Sequence, residues 1–205
     1  MTASYDTIIG MPATRATRDE VVDVARGLLV AEGPGAVTMR RLATALGTSY
    51  QVVYSRVGGK PEVLRAVHDT AFASLTDAVL ALAPQPGTRE HLHALTAGYL
   101  DFAVANPRLF DVMFGAPAGL VRDAALQQVE RESFRRCWVA SARAWLDEHH
   151  PERPPGSAGP LAWRLWTATH GITVLHLAGH HSPSADVHAD LAAVVDRLLA
   201  GPLRS

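Results

Sequence analysis

The sequence predicts an all-α protein of about nine helices, with a small N-terminal helix-turn-helix unit followed by a larger helical unit. Apolar residues recur at helical spacings of three and four along most of the 205 residues. No stretch alternates apolar and polar residues as a half-buried strand does. Hydrophobic residues make up 48% of the chain, which is enough to build a packed core.

Charge is distributed unevenly along the chain. The formal net charge is −1, so the overall basic excess of many nucleic-acid-binding proteins is missing. Residues 33–61, however, contain no Asp or Glu and carry Arg40, Arg41, Arg56 and Lys60. We expect this one segment to supply the positive field that a DNA backbone requires.

The N-terminus and the cysteine content indicate a cytoplasmic protein. Cys137 is the only cysteine, so no intrachain disulfide can form, which suits a reducing compartment. The N-terminus lacks the pattern of a signal peptide, and no apolar run reaches the roughly 18 residues of a membrane span. We therefore expect a cytoplasmic chain that does not associate with membranes.

Helix start and stop signals divide the chain. Residues 1–16 lack periodicity and are predicted to form a flexible arm. Thr17 and Glu20 have capping-box spacing, and Gly47 and Gly58 mark breaks between short helices. The first four helices are predicted from Thr17 to Gly33, from Thr38 to Gly47, from Thr48 or Ser49 to Val57, and from Lys60 to Leu82.

Five further helices follow. Pro and Gly clusters separate them, the clearest loop being residues 151–160 with four prolines. The predicted helices run from Thr88 to Ala105, from Arg108 to Met113, from Pro117 to His149, from Leu161 to His181, and from Ser184 to Ala200.

The second and third helices together carry a recognisable motif. Two short helices joined by a tight glycine-containing turn over residues 38–57 form a helix-turn-helix. The second helix of such a motif enters the major groove of DNA. Val53 and Val57, four residues apart, are predicted to face the core. The opposite face then offers polar and aromatic side chains to bases and phosphates.

The stretch TMRRLATALGTSYQVVYSRVGGKPEVL resembles the signature of the tetracycline-repressor (TetR) family, and the resemblance extends over residues 18–68. Thr48, Gln51 and Val57 depart from the usual residues of that signature. The places of the signature are filled by Thr38, Arg40, Leu42, Ala43, Gly47, Ser49, Val53, Tyr54 and Lys60.

The resemblance implies a DNA-binding transcriptional regulator, with repression as the default of the family. It implies phosphate contacts from Thr38, Tyr54 and Lys60, and positions near the bases for Arg40, Ser49, Tyr50 and Gln51. Helix N-termini with hydroxyl caps suit anions, which agrees with this assignment. The alternatives are that Tyr54 packs in the core and that Lys60 is merely solvated.

The segments NPRLFDVMFG and WTATHGITVLHLAGH resemble a TetR-type C-terminal domain with a Trp-His-Gly pattern, filled here by Trp166, His170 and Gly171. This resemblance implies a small-molecule effector and a homodimer formed by the last two helices. Helical spacing independently predicts a packing seam in the last helix. The seam is formed by Val187, Leu191, Val194 and Leu198, and a face of the preceding helix by Trp163, Trp166, His170, Thr173 and Leu177.

An effector pocket is expected between the middle helices, because ligand sites are mostly apolar with few polar groups. For each candidate, an ordinary place in the core remains the alternative. The candidate ligand-binding residues are Phe72, Tyr99, Phe102, Phe110, Phe114, Phe134, Trp138, Trp166 and His170, with Met113 beside them.

Enzymatic motifs are missing from the sequence. His176 and His180 have i, i+4 spacing but lack further metal ligands, and Cys137 has no recognisable catalytic partner. We therefore expect no catalytic activity, no cofactor and no metal. The predicted organisation is an arm (1–16), a DNA-binding domain (17–63) and a ligand-binding and dimerisation domain (64–205). The alternative is an all-helical enzyme or an interaction module without sequence-specific DNA binding.

Overall fold

The computed structural model of the chain describes residues 16–82, 84–115, 119–180 and 186–201. Within these ranges every regular element is helical and no strand occurs, so the predicted all-α class is confirmed. Nearly all of the predicted N-terminal arm, residues 1–15, lies outside the described residues. No helix among the described residues is long and apolar enough to cross a membrane.

The helices have the following bounds. They are α1 (Arg18–Glu32), α2 (Met39–Ala45), α3 (Tyr50–Val57), α4 (Lys60–Leu82), α5 (Arg89–Ala105), α6 (Pro107–Phe114), α7 (Ala124–Phe134), α8 (Ala140–His149), α9 (Ala158–Leu177) and α10 (Val187–Ala200). A π-helical segment, Arg135–Val139, joins α7 to α8 without a break. With α7 and α8 counted as one long helix, the described residues contain nine α-helices, as predicted.

The chain divides into two compact units. Of the described residues, 16–67 and 119–120 form the first unit, and the remainder form the second. The boundary at Val67 lies inside α4, so this single helix contributes residues to both units.

The first unit is a helix-turn-helix built on capped helices. The Thr17 hydroxyl accepts from the Glu20 amide at 3.2 Å, and the Glu20 carboxylate accepts from the Thr17 amide at 2.7 Å, which confirms the predicted capping box. Ser49 is the cap of α3, since its hydroxyl accepts from the Val52 amide at 3.3 Å. Val53 and Val57 are buried as predicted. An eight-residue helix is not stable alone, so this burial holds α3 in place.

In the second unit, the long central helix begins later than predicted. It starts at Ala124 and not at Pro117, because the Asp123 carboxylate caps it by accepting from the Leu126 amide at 2.9 Å. The sequence prediction overlooked this cap. The last helix likewise starts at Val187, where Asp186 accepts from two amides of the first turn. The helix before it ends at Leu177, ahead of Gly179 in a left-handed conformation.

The π-helical segment was not predicted from the sequence. It holds Cys137 and Trp138 in buried positions within a helix that otherwise has α geometry. Such segments insert an extra residue into a turn and re-aim the side chains that follow, and they are frequent at functional sites. Here Trp138 is one of the side chains that line the cavity of the second unit.

The turn between α2 and α3 depends on Gly47. Its φ is +60°, in the left-handed region where a β-carbon collides with the backbone. No atom lies within 4 Å of a β-carbon placed there, so the restriction comes from the backbone conformation alone. The helix-turn-helix geometry therefore favours glycine at this position.

We expect Gly47→Ala to lower the free energy of unfolding of the first unit by roughly 1–2 kcal/mol, because alanine must adopt the left-handed conformation. Gly27→Ala is the matched control, since Gly27 is an exposed glycine inside α1 with open space around it. That change should raise stability by about 0.5–1 kcal/mol. Urea denaturation of both variants measures the two effects, and equal effects would contradict the proposed role of the turn.

Candidate functional sites

The outward face of α3 presents the side chains that the sequence predicted to contact DNA. Tyr50 and Tyr54 are each 53% exposed, and their rings stack at 6.1 Å with an interplanar angle of 15°. Ser49 and Gln51 are exposed beside them. Tyr54 is therefore not a core residue, which removes the alternative raised from the sequence. We call Ser49, Tyr50, Gln51 and Tyr54 the recognition face.

Two adjacent arginines on α2 have different environments. Arg41 forms a bidentate ion pair with Glu32, with nitrogen–oxygen distances of 2.8 and 2.5 Å, and the Glu32 hydrogen bond raises the pKa of Arg41. Arg40 is exposed, and its guanidinium forms no ion pair within the described part of the chain. Thr38 is occupied as the cap of α2, accepting from the Arg41 amide at 3.3 Å. Of the two arginines, Arg40 is the one available to a partner.

Lys60 is half-buried at the start of α4. Its ammonium donates a hydrogen bond to the Pro34 carbonyl at 3.1 Å, which ties the start of α4 to the turn that follows α1. The Gly59 amide donates to the Glu62 carboxylate at 2.8 Å, so this amide is already occupied. A lysine ammonium has three N–H donors, and those not used by Pro34 can still bind a phosphate.

The second unit contains a cavity of about 620 Å³. This volume is within the range of sites for drug-sized ligands. Seven of the nine predicted ligand-binding residues line it: Phe72, Tyr99, Phe114, Phe134, Trp138, Trp166 and His170.

Three predicted pocket residues, Phe102, Phe110 and Met113, do not line the cavity, and Met113 is fully buried. Phe110 is buried behind it, with its ring centroid 4.7 Å from that of Phe114 and 5.6 Å from that of His170. Phe102 lies half-buried on α5. The lining residues that the sequence analysis did not single out as pocket residues are Leu75, Gly115, Arg122, Glu130, Arg131, Ser133 and Trp163.

Aromatic rings pack against one another around the cavity. Tyr99 lies edge-to-face with Trp138 at 5.6 Å, and Phe134 lies edge-to-face with Trp166 at 5.8 Å. Trp166 stacks on His170 at 5.3 Å with an interplanar angle of 24°. Such pairs add to the stabilisation that burial of the rings already provides. The wall of the cavity is therefore held in place by its own ring contacts.

The polar centre of this wall is a hydrogen bond between Tyr99 and His170. The distance from Tyr99 Oη to His170 Nδ1 is 2.9 Å. Burial raises the pKa of Tyr99 far above that of a free phenol, an effect that a hydrogen bond with Trp166 opposes. Burial also lowers the pKa of His170. Both residues are therefore uncharged at neutral pH.

Two of the charged side chains that line the cavity, Arg122 and Glu130, pair with each other, and the third, Arg131, bonds among the described residues only to the neutral side chains of Gln127 and Gln128. Arg122 donates to both oxygens of Glu130 at 2.6 and 2.8 Å. Glu130 also lies 3.4 Å from Nε2 of His68, a fully buried residue of α4. This cluster connects the wall of the cavity to α4. No local pattern indicates this cluster, because Arg122 precedes α7 and Glu130 lies nearly two turns inside it.

The residues predicted to form the seam of the last helix, α10, lie in two different environments. Leu191 is only 1% exposed and packs inside the chain, as do Val195 and Leu199. Leu191 therefore packs against helices of its own chain and does not face a partner, so its interpretation as part of a dimer contact is wrong. Val187, Val194 and Leu198 instead line an exposed groove together with Ile172 and Leu175 of α9. We call this surface the α9–α10 groove.

The residues predicted to share one face of the preceding helix, α9, also lie in different environments. Trp163, Trp166 and His170 line the cavity and do not form part of the groove. Thr173 is buried, and its hydroxyl donates to the Thr169 carbonyl at 2.8 Å. α9 therefore separates the cavity from the groove, with the tryptophans on the cavity side.

Two family models match the sequence. The model of bacterial regulatory proteins of the tetR family matches residues 21–67. The model of the tetracycline repressor-like C-terminal domain matches residues 92–200, more than half of the chain. The second description names the tetracycline-repressor type and not the Trp-His-Gly pattern in particular.

Solved structures with the same fold come from several bacteria. A protein of unknown function from a Rhodococcus species is 22% identical, with 95% of this chain and 100% of that chain covered and a TM-score of 0.75. A tetR-family transcriptional regulator from Streptomyces coelicolor is 22% identical over 89% of this chain and 88% of that chain, with a TM-score of 0.66. A TetR-family regulator from Thermus thermophilus is 17% identical over 88% and 97%, with a TM-score of 0.61. No curated protein matches the sequence.

Proposed function

The chain belongs to the TetR family of DNA-binding transcriptional regulators, and on this premise we propose that it is a ligand-responsive repressor. It binds a palindromic operator as a homodimer, and a small, largely apolar effector releases it from DNA. The observation that carries the proposal is the pairing of an exposed recognition face in one unit with an aromatic cavity in the other. Residues 17–63 form the DNA-binding domain and residues 64–205 the ligand-binding and dimerisation domain of a cytoplasmic regulator without enzymatic activity.

In the DNA complex, α3 lies in the major groove. Tyr50 and Gln51 on its first turn, with Ser49, face the base edges, and Arg40 of α2 joins them. Thr38, Tyr54 and Lys60 bind phosphates on either side. The exposure of the stacked tyrosine pair supports this arrangement, because an apolar ring pair exposed to water becomes buried against DNA. The absence of carboxylates between residues 33 and 61 supports it as well.

Purified protein incubated with fragmented genomic DNA tests this function. The proposal requires enrichment of one palindromic site, since a two-fold symmetric dimer reads two half-sites. An enzyme or an interaction module without sequence-specific DNA binding would enrich none. The selected site then serves as the operator in the measurements below.

We expect Arg40→Ala to weaken operator binding by roughly 1–3 kcal/mol and to relax the preference for one base pair, as the loss of a base-contacting arginine does. Arg41→Ala is the matched control from the adjacent position. Arg41 is held by Glu32, so its removal should change operator affinity much less. Fluorescence anisotropy with operator and single-base variants measures both. If Arg41→Ala has the larger effect, the proposed orientation of α2 on DNA is wrong.

The α9–α10 groove is the proposed surface of dimerisation. Its lining is mainly apolar, with Val194 and Leu198 of α10 facing Ile172 and Leu175 of α9. A second copy that places its own α9 and α10 in this groove forms a four-helix bundle with two-fold symmetry. This arrangement buries side chains such as Leu175, which is 55% exposed in the single chain.

The double substitution of Val194→Glu with Leu198→Glu should give a monomer in sedimentation experiments, because it places charges in a contact that excludes water. Val104→Glu is the control, since Val104 is 47% exposed on α5 outside the groove. This variant should remain dimeric. A dimeric double variant would move the interface to another surface. Leu191→Glu is not a test of dimerisation, because Leu191 belongs to the core.

The effector is proposed to bind in the cavity and to act through α4. Phe72 and Leu75 of α4 line the cavity, and His68 contacts Glu130 of its wall. The same helix begins with Lys60, a proposed phosphate ligand. A bound effector that shifts α4 would change the spacing of the two recognition faces of a dimer, on which operator binding depends.

This mechanism predicts reciprocal coupling. An effector that weakens operator binding must itself bind more weakly when operator is present, by the same factor, with a coupling of roughly 1–3 kcal/mol. A thermal-shift screen of hydrophobic metabolites followed by calorimetric titration with and without operator measures it. An effector whose affinity is unchanged by operator would leave the cavity as a binding site but would disprove the switch.

A further inference from the structure

The cavity is lined mainly by aromatic rings, but it also contains the hydrogen bond between Tyr99 and His170, whose direction determines which ligand group His170 can bind. Tyr99 is 2% exposed, and its hydroxyl bonds to Nδ1 of His170. If Nδ1 carried the proton, the hydroxyl hydrogen of Tyr99 would have no acceptor among the described residues, since the nearby Trp166 indole is only a donor. A buried hydroxyl without an acceptor is costly. Tyr99 therefore donates to Nδ1, and the proton of the neutral imidazole lies on Nε2.

His170 Nε2–H is then a donor without a protein acceptor. His170 lines the cavity, and its Nε2 makes no hydrogen bond within the described part of the chain. The ring is held in place, because it stacks on Trp166 and contacts Phe114 at a centroid distance of 4.8 Å. The direction of the N–H bond is accordingly fixed before any ligand binds.

The side-chain acceptors that line the cavity each form a hydrogen bond within the chain. Both oxygens of Glu130 accept from Arg122, the Ser133 hydroxyl bonds to Thr76 at 2.7 Å, and Tyr99 bonds to His170. The side-chain donors left for a ligand are the His170 imidazole, the Trp138 and Trp163 indoles, and Arg131, which within the described ranges bonds only to the neutral side chains of Gln127 and Gln128. A ligand that brings only donors would leave them without partners.

We infer that the effector is a flat aromatic molecule that presents a carbonyl-type oxygen to Nε2–H of His170. The inference rests on the proposed function, which assigns the cavity to the effector. The ring-lined wall and the volume of about 620 Å³ suit a molecule of two to four fused rings, as an order of magnitude for such sites. The hydrogen bond to His170 sets its orientation, and the rings supply most of the affinity.

Three tricyclic probes of the same shape test the inference. Fluorenone carries a carbonyl oxygen, fluorene carries a methylene group in its place, and carbazole carries an N–H donor. We expect equilibrium dialysis to give fluorenone the highest affinity, about five- to tenfold above fluorene, which is the effect of one hydrogen bond. Carbazole should bind no more tightly than fluorene. Equal affinities, or a preference for carbazole, would overturn the inference, as would the failure of all three to bind.

Substitutions at the pair identify the donor. His170→Phe keeps a ring beside Trp166 but has no N–H, so it should retain fluorene binding and lose the preference for fluorenone. If the preference survives, another group is the donor and the assignment to His170 is wrong. If the variant binds neither probe, the inference is judged by the affinities of the three probes for the unmodified protein. It stands if fluorenone binds most tightly, and it fails otherwise.

Tyr99 is proposed as a positioning residue, which a spectroscopic measurement can test. In ¹⁵N NMR spectra of the unmodified protein, Nδ1 of His170 should have the shift of an unprotonated imidazole nitrogen and Nε2 that of a protonated one. Tyr99→Phe should mix the two tautomers and reduce the fluorenone preference. If the spectra of the unmodified protein show that Nδ1 carries the proton and Nε2 does not, the inference is overturned.

The experiments distinguish a failure of the inferred ligand class from a failure of the proposed function. Fluorenone that binds with the expected preference but leaves operator affinity unchanged would count against release by an effector and would leave the ligand class standing. Release of operator by a ligand without an acceptor oxygen would support the proposed function and overturn the ligand class.

Discussion

The core buries only part of the circumference of α3 and α10, and this constraint decides where two of the candidate sites lie. Burial of Val53 and Val57 turns Tyr50 and Tyr54 of α3 to the outside. Burial of Leu191 and its neighbours on α10 leaves another apolar row of the same helix exposed in the groove. On these two helices the residues that the core leaves exposed form the candidate surfaces, so assigning the buried face of each helix identifies the surface.

Local signals predicted the first unit well. The capping box of Thr17 and Glu20, the turn at Gly47 and the four-residue spacing of Val53 and Val57 are all effects within one or two helical turns, and the structure has each of them. The outward direction of the recognition face followed from the valine spacing. The cavity was predicted in part, because aromatic residues on several helices of one unit have few places to pack other than together.

Other features depend on contacts between distant parts of the chain, which spacing does not reveal. The apolar residues of α10 satisfy a single helical pattern, yet Leu191 faces the core and Val194 faces the groove, because α5 and α9 both pack on α10. The π-helical segment at Trp138 has no sequence signal of its own. Arg122 and Glu130 meet in space across the cap at Asp123. The charged residues at the cavity were therefore among those that sequence reasoning missed.

The same burial that forms the cavity also fixes its chemistry. Because burial lowers the pKa of His170 and raises that of Tyr99, neither residue ionises near neutral pH, and the hydrogen bond between them keeps one direction. The unfolded chain binds a proton at His170 more readily than the folded chain does. The stability contributed by the neutral pair is therefore fully present above the ordinary histidine pKa of 6.5 and is lost as the pH falls from that value through the lowered pKa of His170 in the folded chain. The aromatic wall accepts flat molecules without regard to their polarity. Discrimination between such ligands therefore depends on the direction of the hydrogen bond to the one polar group, which keeps a single protonation state.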